Sequence, residues 1–129
     1  MISYNGLTLA YVGDAYYELK IRDYCLLKGL TLVNDLHNQA INYTRSSNQS
    51  FAAKELYDNH YDDVEKGVFR RGRNQTAKHK PKNVDGQTYN NSTGFEAVIG
   101  YLYLKNDLER CHKIIDIAIK TIEEKSLNN

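Results

Sequence analysis

The chain falls into stretches whose apolar residues recur at helical spacing, separated by short polar breaks. Apolar positions carry a first helix from about Leu7 to Lys28, which Gly29 closes as a C-cap. Asn34 can cap a second helical region from Asp35 to about Asp58, and the weak helix formers Tyr43 to Ser47 are placed to kink it. A short helix from about Tyr61 to Arg71 follows, with Asp62, Asp63 and Glu65 near its positive end. Residues 72–89 lack apolar periodicity, contain Gly72, Pro81 and Gly86, and read as a loop. Asn91 or Ser92 then caps an apolar helix to about Lys105. The last helix, Asp107 to Lys125, repeats Ile114, Ile115, Ala118, Ile119 and Ile122. One proline and little strand-type alternation point to an all-α domain, a bundle of about five helices with one long loop.

The 129 residues suit one domain, residues 1–129, large enough for a single core. With 41% hydrophobic and 26% charged residues the chain reads as globular rather than disordered. Cys25 and Cys111 lie within apolar helical patterns and read as buried thiols of a reducing compartment. The start lacks a basic stretch followed by an apolar run, and the longest apolar stretch, Ala97 to Leu104, is too short to span a bilayer. A cytoplasmic protein with no membrane partner is expected.

Two acids break the pattern. In "LAYVGDAYYE", Asp14 is the only charged residue between Met1 and Tyr17, and Gly13 precedes it. In "STGFEAVIGYLYL", Glu96 is the only charged residue from Gly86 to Leu104. An unpaired buried carboxylate costs several kcal/mol, so each needs a partner, a proton or a metal. A helix cap or an arginine pair serves for either acid alone. If the two helices pack, both can converge on one site, where hard oxygen ligands suit Mg²⁺ or Mn²⁺. Gly13 costs its helix roughly 1 kcal/mol relative to alanine; Gly13 and Gly100 both permit close approach of another backbone or a substrate. Glu18, on the face of Asp14, either joins such a site or makes a salt bridge or a dimer contact.

The net charge of +1 hides an uneven distribution. "KGVFRRGRNQTAKHKPK", Lys66 to Lys82, holds seven of the seventeen Lys and Arg residues and no acid. A solvated loop is one reading; a phosphate-binding segment is the other, and fits the absence of acids better. Charge alone suits RNA, DNA and other polyanions alike. Phe69 reads as core, so base stacking is not indicated and backbone contacts to a duplex fit better. The candidate binding residues are Arg70, Arg71, Arg73, Asn74, Lys78, Lys80, Lys82 and Tyr89, in a basic stretch over about 70–89. His37, His60, His79 and His112 show no metal-ligand spacing, and no P-loop, dinucleotide or Ser-His-Asp signature occurs.

"AYVGDA" followed by "FEAVIGYLYL" resembles the ribonuclease III family, whose members carry an "E-F-L-G-D-A" helix and a downstream "D-x-x-E-A-L-I-G-A" helix. "NDLH", "RGRN", "PKN", "QTY" and "STGFEA" extend the likeness over nearly the whole chain, and most resemble the short bacterial form without a double-stranded-RNA-binding domain, the Mini-ribonuclease 3 group. The resemblance implies a ribonuclease III-type helical endonuclease domain, homodimeric, that cleaves double-stranded RNA with Mg²⁺ (Mn²⁺ as substitute). Asp14 and Glu96 match its catalytic, metal-binding acids. Ala10 and Thr93 stand where longer members have glutamate and aspartate, as in the short group, so metal is held by fewer carboxylates before RNA arrives. It also implies products with a 5′-phosphate and 3′-hydroxyl, and staggered cuts by a two-fold dimer whose apolar signature helix is the natural interface. The implied substrate is the paired ends of precursor 23S (large-subunit) ribosomal RNA, with a ribosomal protein or pre-ribosomal particle as a further candidate partner. The resemblance to the form without that binding domain implies that the basic stretch supplies RNA affinity. The rival readings are a catalytically silent RNA-binding module of this fold acting in ribosome assembly, and a helical interaction protein whose acids form structural pairs.

Overall fold

In a computed structural model, which describes residues 3–75 and 84–128, the chain is all-α, with no strand among the described residues. Six helices follow in order: α1 (Gly6–Leu27), α2 (Val33–Thr44), α3 (Ser46–Asn59), α4 (Asp63–Asn74), α5 (Gly86–Leu104) and α6 (Leu108–Leu127). The expected five become six because Arg45 is extended (φ −63°, ψ 144°) and breaks the region from Asp35 to Asp58 into α2 and α3. The weak helix formers around it lower the cost of that break. The Asn48 side-chain amide donates to the Asn42 carbonyl at 2.6 Å and closes the corner.

Side-chain caps fix most of the other boundaries. Asn5 accepts from the Thr8 amide to start α1, and Gly29, at φ +97°, ends it in the left-handed conformation glycine tolerates. Asn34 does not cap α2; Leu32 stands at that position and its side chain makes no capping bond. Asp62 and Glu65 form a reciprocal capping box on α4. Helix α5 begins at Gly86, capped by Asp85, whose carboxylate accepts from the Thr88 amide. Neither Asn91 nor Ser92 is its cap, and residues 86–89, expected in the loop, are helical. Helix α4 likewise continues through Gly72 to Asn74, so the expected 72–89 loop shrinks from both sides.

Helix α5 is the centre of the bundle and packs against α1, α3, α4 and α6. From Gly94 onward it is apolar nearly all round, as a helix segment surrounded by others must be; Phe95, Ala97, Val98, Ile99 and Leu102 are all buried. Helix α1 contributes the stripe Leu9, Gly13, Tyr17, Ile21 and Cys25 at four-residue spacing. Cys25 and Cys111 are buried free thiols, as expected. Glu65 is buried and paired with Arg110 through both carboxylate oxygens at 2.8 Å, which ties α4 to α6.

Candidate functional site

The crossing of α1 and α5 brings Asp14 to Glu96. A Cβ placed on Gly13 would lie 1.8 Å from the carbonyl oxygen of Glu96, and one on Gly100 would lie 1.9 Å from that of Leu9. Backbone therefore touches backbone, with a glycine from each helix at the contact. Since Gly13 precedes Asp14 and its contact is Glu96 itself, the glycine sets one acid beside the other.

The two carboxyl groups lie close enough to act on each other, and they occupy unequal environments. Asp14 is exposed, so the burial suggested by its apolar sequence neighbours does not occur; the stripe of α1 that packs inward passes beside it. The desolvation falls on Glu96, which is half-buried. Burial, then the adjacent Asp14 charge, pushes the Glu96 carboxyl up to about 8 from 4.5. Without a cation the pair thus holds a proton at neutral pH, with Glu96 as its carrier. The Gln49 amide on α3 donates to Glu96 Oε2 at 3.3 Å and opposes the rise.

The donor set suits a hard cation that keeps part of its shell in water or substrate oxygens. Two carboxylates meet at a surface open on the Asp14 side, and no group of three or more His, Cys, Asp or Glu ligands occurs among the described residues. That fits Mg²⁺, which is commonly held by one or two carboxylates plus phosphates, and does not fit a closed four-ligand site. Ala10 is buried, and the Thr93 hydroxyl turns back to the Tyr89 carbonyl of its own helix at 3.1 Å. Glu18 pairs with Arg22 at 3.6 Å along α1, the salt-bridge alternative. His60 and His112 face Glu55 and Tyr16, at 3.1 and 2.6 Å.

The basic candidates divide. Arg70, Arg71, Arg73 and Asn74 lie on the last turns of α4. Arg70 donates to the Tyr57 hydroxyl at 2.6 Å, Arg71 donates to the Tyr4 carbonyl just before α1, and Arg73 donates to Asn74 while lying over the Phe69 ring. Arg70 and Arg71 stay exposed, with charge available to an anion; Arg71 also fastens α4 to the N-terminal segment. Lys78, Lys80 and Lys82, with His79, fall outside the described residues. Tyr89 is on α5, half-buried rather than on a loop.

Residues not anticipated from sequence join these groups. Arg73 and Asn74 line an open polar cleft with Gln87, Asn90 and Asn91 of α5. Asn91 donates to the Ser50 hydroxyl at 3.3 Å, beside Gln49. Gln49 carried a usable signal: it shares the spacing of Ala52, Ala53 and Leu56, the buried face of α3, where a polar side chain requires a partner.

The Ribonuclease III domain model matches residues 7–107. A Mini-ribonuclease 3 of Clostridium tetani is 43% identical over 96% of this chain and 82% of its own length. That of Streptococcus pneumoniae is 40% identical over 92% of this chain and 94% of its own length. A crystal structure of a Fusobacterium nucleatum protein superposes with a TM-score of 0.81 at 33% identity, covering 92% of this chain and 93% of that one. With the glycine-set acid pair lying inside the matched region, the chain belongs to the ribonuclease III family and, within it, to the Mini-ribonuclease 3 group.

Proposed function

We propose that this ribonuclease is a metal-dependent endonuclease of double-stranded RNA, that Asp14 and Glu96 are its catalytic, metal-binding acids, and that residues 1–129 act as one catalytic domain. The observation that carries the reading is the glycine contact of α1 and α5, where Gly13 rests on the Glu96 backbone and brings Asp14 beside Glu96. Asp14 and Glu96 would hold Mg²⁺, or Mn²⁺ in its place, and the ion would supply a lowered water pKa and neutralisation of charge on the scissile phosphate. Asp14, exposed, would face the incoming phosphate, and Glu96 would release its proton to solvent on becoming a ligand. Cleavage leaves a 5′-phosphate and a 3′-hydroxyl.

Arg70, Arg71, Arg73, Asn74, Lys78, Lys80, Lys82 and Tyr89 form the RNA-binding set. Those on α4 border the amide-lined cleft, whose hydrogen-bonding groups suit phosphate and sugar contacts in shape-based duplex recognition. Replacing Arg70, Arg71 and Arg73 together by alanine is expected to weaken duplex binding and to lower the log–log salt slope by roughly 0.7–0.9 for each phosphate left without its cation. Titrating a labelled duplex at several salt concentrations measures this, and an unchanged slope refutes the assignment.

The working unit is a homodimer. Tyr11, Leu19 and Leu26 are exposed along one side of α1, and Tyr11 is 82% exposed; a second copy meeting this stripe about a two-fold axis matches a duplex whose strands are related by a pseudo-two-fold. Leu19→Arg is expected to yield monomer in sedimentation experiments. The proposed substrate is the stem formed by the ends of precursor 23S ribosomal RNA in the cytoplasm, presented by a ribosomal protein or pre-ribosomal particle. Incubating the protein with that stem, with and without Mg²⁺, and mapping the ends tests the function. Two staggered cuts with 5′-phosphates are expected with metal only. Intact RNA in both Mg²⁺ and Mn²⁺ would instead favour a silent RNA-binding module.

A further inference from the structure

We infer that Gln49 is the positioning residue of the metal site, holding one oxygen of Glu96 so that the carboxylate is aimed at a cation shared with Asp14; this rests on the acid-pair reading of the site. Gln49 is 2% exposed on the inner face of α3. Its neighbours on that face, Ala52, Ala53 and Leu56, are apolar, and an apolar residue would continue the pattern without needing a partner. The amide nitrogen instead donates to Glu96 Oε2 at 3.3 Å. A third helix thereby acts on a site otherwise built from α1 and α5.

The chemistry of the amide suits the task. Lysine or arginine at this position would pair with Glu96 and compete with a divalent cation for its charge. A carboxylate would repel Glu96 whenever the site is empty. A neutral donor fixes the orientation of the carboxylate while leaving its charge for the metal, the part that outer-shell hydrogen bonds play around metal ligands. The register of α3 against α5 is held beside it by the bond from Asn91 to Ser50. With only two acids at the site, each one's orientation matters more than in a larger ligand set.

The test measures Mn²⁺ binding to the RNA-free protein by electron paramagnetic resonance, in wild type, Gln49→Met, Gln49→Glu and Asp14→Asn. Methionine keeps length and loses the donor; its Mn²⁺ dissociation constant should rise roughly tenfold. Glutamate adds a third carboxylate beside Glu96 and should bind Mn²⁺ several-fold more tightly than wild type, a gain that loss of packing does not produce. Wild-type affinity in both Gln49 variants, with weakened binding in Asp14→Asn, overturns the role of Gln49 and leaves the acid pair standing. Wild-type affinity in Asp14→Asn overturns the acid-pair reading and this inference with it. If Gln49→Met fails to fold, the glutamate variant carries the decision.

Discussion

Gly13→Ala is expected to lose roughly 3 kcal/mol or more of stability, or to prevent folding. The added methyl would sit 1.8 Å from the Glu96 carbonyl oxygen and 2.7 Å from the Gly100 amide nitrogen. Both are backbone atoms of a buried central helix, so no side chain can rotate away. Either α1 and α5 separate where they cross or the variant does not close its core. Alanine's better helix propensity recovers only about 1 kcal/mol of this. Gly67→Ala is the control: it lies within α4, where the nearest atom to an added Cβ is Arg70 Nη2 at 4.0 Å. It should be neutral or stabilising by up to about 1 kcal/mol. Urea unfolding of both variants decides the matter; equal midpoints would show that the close approach at Gly13 is not a constraint. Any Gly13→Ala protein that folds should also cleave poorly, because separating the helices separates Asp14 from Glu96.

Asp14→Asn and Glu96→Gln are expected to lower cleavage by roughly a hundredfold to a thousandfold or more, the scale of removing an electrostatic group from a transition state. RNA binding should persist or tighten, because each change removes a negative charge from a surface that phosphates approach. Wild-type cleavage by either variant would sink the assignment of these acids. Glu96→Gln has a second consequence, in stability. The folded-state pKa of Glu96 is raised to about 8 against an ordinary 4.5, so between those values the folded protein binds a proton that the unfolded chain has released. Stability of the metal-free protein therefore falls as pH rises from about 4.5 to 8, and the loss is complete above 8. Glutamine carries no charge to penalise, so the variant should match wild type near pH 4 and exceed it by roughly 1–3 kcal/mol near pH 9 in chelator. The figure lies below the full linkage value because water reaches the half-buried carboxyl. Denaturant midpoints at the two pH values check the sign. In wild type, divalent cation should restore stability at pH 9, because it takes the place of the lost proton.

Much of this was legible in the residues because local physics controls it. Apolar spacing marked α1, the body of α5 and α6, since a helix in this bundle needs a buried stripe. Glycine after Lys28 marked the end of α1, and its positive φ confirms the role. Other boundaries were less plain. Asn91 and Ser92 looked like caps because the apolar run starts after them, yet Asp85 begins α5, and the preceding turns of the helix carry polar residues. The residues before the apolar run are helical because a cap is available, not because a face is buried. The split at Arg45 followed from weak helix formers, but its sharpness depends on side-chain bonds such as Asn48 to Asn42.

For the site, sequence alone determined that two acids stand isolated in apolar helices, each with a glycine nearby, and that positive charge gathers before the second. Those are properties of single segments. Only the tertiary structure decided that Gly13 rests on the Glu96 carbonyl, and hence that the acids are neighbours. It also reversed the expected burial, leaving Asp14 exposed and placing the desolvation on Glu96, because solvent access depends on which helices surround a face. Gln49 went unread in the sequence although it sits as a polar residue on an apolar stripe; its partner lies 47 residues away, and only the packing of α3 on α5 names it. Helix propensity and charge act along the chain, whereas dielectric and hydrogen-bond partners are set by whatever packs across it.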